Sequence, residues 1–130
     1  PPRTADQGAW MKRVTLPWPP KELKPNSREH WALKGRAASR HKADCQYAAM
    51  AAGIRALGWQ GMSVDLEFCP PSARRADLDN MLAAMKHGLD GLAAAAGVDD
   101  SLWTITIRKG APVKGGAVNV GVSNPAASEN

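Results

Sequence analysis

The stretch MSVDLEFCPPSARRADLDNMLAAMKHGLDGLAAAA, residues 62–96, decides how this chain folds. Its opening alternates: Met62, Val64, Leu66 and Phe68 fall on one side, Ser63, Asp65, Glu67 and Cys69 on the other. That period of two marks a half-buried strand. Pro70-Pro71 ends it, because proline has no N–H to give to a ladder. From Leu78 the period changes. Leu78, Met81, Leu82, Met85, Leu89, Leu92 and Ala96 recur at helical spacing, which predicts one helix from about Leu78 to Ala96, closed by Gly97. Residues 72–76, SARRA, form a basic connection between the two elements.

Downstream, Asp99-Asp100-Ser101 reads as a tight loop, followed by strands over Leu102 to Arg108 and Ala117 to Val122. The glycine-rich segment from Lys109 to Gly116 between them predicts a hairpin. Upstream, Trp10 to Leu16 reads as a short strand, and Pro17, Pro19, Pro20 and Pro25 then exclude regular structure. Asn26-Ser27 supplies a cap signal for helical structure from about Arg28, with a break open at Gly35. From Ala37 to Leu57 the small residues Cys45, Ala48, Ala49 and Ala52 predict close packing against a sheet or another helix. Gly58 and Gly61 end this region. The order β-α-β-α-β-β predicts an α+β fold: a mixed sheet with two packed helices in a single domain over residues 10–123. Residues 1–9 read as a flexible leader and 124–130 as a disordered tail.

Bulk properties narrow the class. The chain of 130 residues is 44% hydrophobic and 22% charged, the balance of one soluble domain. No apolar run approaches the roughly 20 residues of a membrane span, and the first residues lack the apolar centre of a signal peptide, so a cytoplasmic protein is expected. Cys45 and Cys69 have no metal-type spacing and read as reduced thiols. His30, His41 and His87 likewise show no ligand spacing and are expected to be exposed or capping. The net charge of +5 favours polyanionic partners, nucleic acid first among them. The basic residues Lys21, Lys24, Arg28, Lys34 and Arg36 crowd one stretch, and Arg74 and Arg75 stand just before an acidic segment; these are the expected DNA contacts.

That segment, Asp77-Leu78-Asp79-Asn80, carries the candidate chemistry. A single aspartate at a helix start serves equally well as an N-cap, where backbone N–H groups and the helix dipole favour negative charge. Two aspartates two residues apart at a strand-to-helix junction converge when the first lies outside the helix, and they then repel unless a cation lies between them. Oxygen ligands with room for water suit Mg²⁺ or Mn²⁺. The pair Asp99-Asp100 follows the same helix, in a loop leading to a strand expected beside the first, from which a third ligand reaches the site. On an unbroken helix Asp79, Ala83, Lys86 and Asp90 share one stripe. Helical side chains lean toward the N-terminus, so Lys86 reaches back toward Asp79, where its ammonium would stabilise charge on a cleaved phosphate. Acids for a metal beside bases for phosphate make a phosphodiesterase arrangement. The absence of a glycine-rich nucleotide loop and the basic N-terminal half argue against a small-molecule phosphate enzyme.

The segments LPWPPKELKPNSREHW (16–31), RRADLDNMLAAMKHGLDGL (74–92), GVDDS (97–101) and VKGG (113–116) together resemble the RusA family of Holliday junction resolvases, particularly its phage and prophage members. The resemblance implies a crossover junction endodeoxyribonuclease of DNA recombination and repair. It implies a Mg²⁺-dependent homodimer that nicks four-way junctions in pairs. Its metal ligands would be Asp77, Asp79 and Asp100, with Lys86 as the catalytic lysine. The chain departs from the family at Ala83, where some members carry that lysine, and at Ala76, where their basic run continues. A junction-binding protein with weakened cleavage is the alternative that Ala83 supports.

Overall fold

A computed structural model of the chain describes residues 11–128. The expected leader therefore lies outside the described residues, as do Trp10, Glu129 and Asn130. Strand β1 spans Met11–Pro17, helix α1 Trp31–Ala51, and strand β2 Met62–Cys69. Helices α2 (Leu78–Ala84) and α3 (Lys86–Ala96) follow, then strands β3 (Trp103–Lys109) and β4 (Ala117–Ser123). The architecture is α+β with a mixed four-stranded sheet, as the alternation and helical periods predict. A helical turn, α4, stands at Pro125–Ser128 in the stretch read as a tail, begun by Asn124, whose Oδ1 accepts from the Ala126 N–H.

The sheet order is β1-β4-β2-β3. Strand β4 runs antiparallel to both β1 and β2, while β2 and β3 are parallel. The hairpin expected from the glycine-rich segment is thus not formed. Val118, Val120 and Val122 of β4 are all essentially buried, so β4 takes a place between two strands. Strand β3 is mostly exposed and takes the edge. The segment between them crosses the end of β2 instead of turning tightly: Gly110 N–H donates to Phe68 O and Val113 N–H to Pro70 O. A side chain at Gly110 would meet Glu67 Cγ at 2.7 Å, so the crossing needs glycine.

One sheet face carries the row Val14, Val120, Leu66 and Ile107 under the helices. The other face is open and polar. There Thr15 Oγ1 donates to Asn119 Oδ1 (2.9 Å), Asn119 Nδ2 donates to Glu67 Oε1 (2.9 Å), and Arg108 Nε lies 3.5 Å from Glu67 Oε2. This row ties all four strands together. The Asn119 hydrogen bond, more than nearby Arg108, holds the Glu67 carboxyl below its ordinary pKa.

Small residues let α1 and α3 approach closely, as the alanine-rich reading predicts for a helix partner. A Cβ on Gly91 would meet Lys42 O at 2.2 Å, and one on Gly88 would meet His41 Nε2 at 2.7 Å. The expected single helix over Leu78 to Ala96 is divided at Met85. The Met85 N–H is shared between Met81 O and Leu82 O, which tightens that turn, and its buried side chain packs with Sδ 3.4 Å from His41 Nε2. His41 is accordingly 3% exposed, not a surface histidine, and burial lowers its pKa. Cys45 beside it is a free, fully buried thiol, pushed up to about 12 mainly by burial. Cys69 is also free and buried.

Helix α1 begins later than expected and runs without a break at Gly35. Its cap is His30, whose Nδ1 accepts from the Ala32 N–H at 3.1 Å. Ser27 instead turns the preceding loop, accepting from Glu29 N–H. Among the described residues no helix is long and apolar enough to cross a membrane.

Candidate active-site cleft

The chain leaves β2 at Cys69, passes Pro70-Pro71 and the two arginines, and enters α2 at Asp77. Asp77 holds the N-cap position with extended backbone (φ −89°, ψ 134°), yet its side chain makes no cap hydrogen bond. The ordinary use of an aspartate at a helix start is therefore not taken up here. Its carboxylate lies 3.7 Å from Arg75 Nε, an exposed pair that water screens heavily. A cleft of about 530 Å³ opens at this point, lined by Asp77, Asn80, Arg74, Arg75, Lys24 and Trp18 among others. Asn80, one helical turn beyond Asp77, belongs to this cleft and was not assigned a role from the sequence. Its i+3 spacing from Asp77 was the available signal.

Asp79 is exposed in the first turn of α2 but does not line the cleft. Lys86 is the first residue of α3, beyond the division at Met85, so the unbroken stripe from Asp79 to Lys86 is not realised. Ala83 is exposed on α2.

Asp100 is not brought to this cleft within one chain. Strand β3 does return beside β2, but in parallel, with Trp103 opposite Met62 and Lys109 opposite Phe68. The start of β3, and with it Asp100, therefore stands at the opposite end of β2 from Asp77. The eight residues of β2 set these ends on the order of 25 Å apart. Asp99 has a local role: it caps the 3-10 turn Asp100–Leu102, accepting from the Ser101 N–H at 3.1 Å and from the Ser101 hydroxyl. These bonds lower its pKa. Asp100 is exposed. Among the described residues no group of three His, Cys, Asp or Glu side chains gathers as a metal site.

The basic residues divide into two groups. Lys24, Arg74 and Arg75 line the cleft, while Lys21 and Arg28 are exposed on the loop leading to α1. Arg36 lines a neighbouring cleft with Arg40 and shares Trp18 as a wall with the first. Lys34 Nζ donates to Ser27 O at 2.7 Å, which ties the loop to α1 and uses one of the three N–H donors of its ammonium. Trp18 packs edge-on against Phe68, with centroids 6.3 Å apart. It lies over Gly116, where a Cβ would come within 2.6 Å of Trp18 Cγ and where φ is +75°. Both facts demand glycine at that position. Trp31, by contrast, is 78% exposed beside His30.

No protein-family model matches the chain. An uncharacterized protein of Xylella fastidiosa (strain Temecula1 / ATCC 700964) is 41% identical over 98 residues, which cover 69% of this chain and 61% of that protein. The chain thus matches less than two thirds of that relative's length.

Proposed function

We propose that this protein is a RusA-type endonuclease that resolves four-way DNA junctions by paired nicks, with Mg²⁺ or Mn²⁺ as its cofactor. One observation carries the reading: Asp77, free of capping duty, opens onto a cleft walled by Arg74, Arg75 and Lys24. Carboxylate beside guanidinium and ammonium is the composition a phosphodiester backbone and a divalent cation both require. The arginines hold phosphate oxygens by charge-assisted hydrogen bonds. Asp77 and Asp79 would be the oxygen donors for the cation, which would supply Lewis-acid stabilisation of the phosphate when bound. Lys86, the first residue of α3, would be the lysine that supplies positive charge to the leaving oxygen.

In this reading the third carboxylate comes from a second copy. A two-fold pair that sets the chains head to tail returns Asp100 of one copy to the Asp77 end of the other. Two such sites, one per strand, suit a two-fold junction.

The test incubates the protein with a synthetic four-way junction and a linear duplex, in Mg²⁺ or in EDTA. Symmetric nicking of the junction alone, abolished by EDTA and by Asp79→Asn, is expected. Absence of binding to either DNA sinks the proposal. A second reading, a junction-binding protein with weakened cleavage, is favoured by Lys86 lying beyond the division at Met85. It predicts tight junction binding with no product at any concentration of either metal. Lys86→Ala decides the lysine: a rate loss of more than about tenfold with binding kept is expected.

A further inference from the structure

The two edges of the sheet are built differently. The β1 edge carries Lys12 and Arg13 and ends in Pro17, devices that discourage pairing with another strand. The β3 edge has none over Trp103 to Ile107: no charge, proline or glycine interrupts the run WTITI. Ile105 is 42% exposed, and Leu102 just before the strand is 54% exposed. A seven-residue strand rich in β-branched residues is thus left, among the described residues, with one row of backbone N–H and C=O groups unmatched by a neighbouring strand.

Charge says what fits there. Asp99 and Asp100 precede β3, and Arg108 and Lys109 close it. A second copy of the same strand, laid antiparallel, brings the acidic start of each copy toward the basic end of the other. A parallel copy would set like charges side by side, which is unfavourable. Antiparallel self-pairing about a residue also matches residues of the same parity, isoleucine beside isoleucine and threonine among polar partners.

We propose that the β3 edge is the seam between two copies of this chain, paired antiparallel about a two-fold axis at Thr106 to make one continuous sheet across both. Ile105 of each copy lies beside Ile107 of the other, Thr104 beside Arg108, and Trp103 beside Lys109, whose ammonium meets the indole. The inference rests on the two-copy part of the proposed function and not on its chemistry, and its test reads mass alone.

Light scattering on the wild-type chain is expected to give a dimer. Ile105→Lys puts a charge on a half-exposed position, where the fold is retained by circular dichroism, and should raise the dissociation constant by more than about tenfold. Thr106→Cys should cross-link copies under mild oxidation, whereas wild type and Arg13→Cys, on the other edge, should not. A wild-type monomer overturns both the seam and the two-copy reading. A dimer of unchanged strength in Ile105→Lys, or cross-linking through Arg13→Cys in place of Thr106→Cys, overturns the seam and leaves the two-copy reading standing.

Discussion

At its C-terminal end β2 delivers the chain to Arg74, Arg75 and an aspartate that caps nothing, beside Lys24 and within one strand of Lys109. At its N-terminal end the neighbouring β3 begins just after Asp99 and Asp100, and no arginine or lysine of β2 or β3 stands there. One end gathers the basic side chains of Lys24, Arg74 and Arg75 around Asp77. The other holds spare carboxylate. The difference teaches that the acidic groups read together along the sequence are split by the sheet: a single chain holds two of the three expected ligands, Asp77 and Asp79, at one end and the third, Asp100, at the other.

The largest expected effect comes from reuniting the two ends. Asp77→Asn and Asp100→Asn should each cut junction cleavage at least about 100-fold as pure variants. Mixed, they should regain nicking of one strand, because a pair built head to tail then holds one site with both mutations and one with neither. If the mixture stays inactive while the pure variants are dead, Asp100 does not act across copies.

A smaller effect tests the close packing of α1 against α3. Gly91→Ala drives a Cβ into the Lys42 carbonyl and should cost about 1–3 kcal/mol in urea unfolding. Gly35→Ala meets nothing within 4 Å in mid-helix and should instead stabilise by about 0.5–1 kcal/mol. Equal responses from the two would mean the close α1–α3 approach is not what these glycines serve.

Salt dependence sharpens the basic end. Lys24→Ala should flatten the slope of log affinity against log salt for junction DNA by about one. Lys34→Ala should leave that slope alone and lower stability by about 1 kcal/mol, since its ammonium serves Ser27 O. A slope change at Lys34 would show that its ammonium meets DNA as well as Ser27 O.

The smallest effect is a pH dependence. His41 is held neutral by burial, which outweighs the opposing pull of Asp44, and His87 adds to the lowering. Its folded pKa lies below the ordinary 6.5, so its contribution is complete above that value. It is lost as pH falls from 6.5 toward the folded pKa, because the unfolded chain takes up a proton that the folded one refuses. The urea midpoint should decline below that pH in wild type and less so in His41→Gln; parallel declines would remove His41 from the account.

Much of this molecule was legible before its structure. The Met62–Cys69 alternation, the change to helical spacing after Pro70-Pro71 and the placing of Asp77 at the junction are local patterns, and local sterics and burial impose them. Other features had no local signal. The division at Met85 depends on a histidine from α1, and the engaged state of Lys34 on a carbonyl seven residues away. Asn80 had a signal in its spacing, but the cleft that makes it relevant is formed by Trp18 and Lys24 from the far side of the chain.

By itself the sequence determined the class of fold, the identity of each strand and the acidic segment at the head of α2. Only the tertiary structure decided that β4 enters between β1 and β2, that β3 is left at the edge, and that Asp100 stands at the end opposite Asp77. The reason is physical. Periodicity reports which face of an element is buried, whereas strand order is settled by competition among distant segments for the same hydrogen-bonding edges. A glycine-rich connection reads the same whether it turns back on itself or crosses the end of a neighbouring strand.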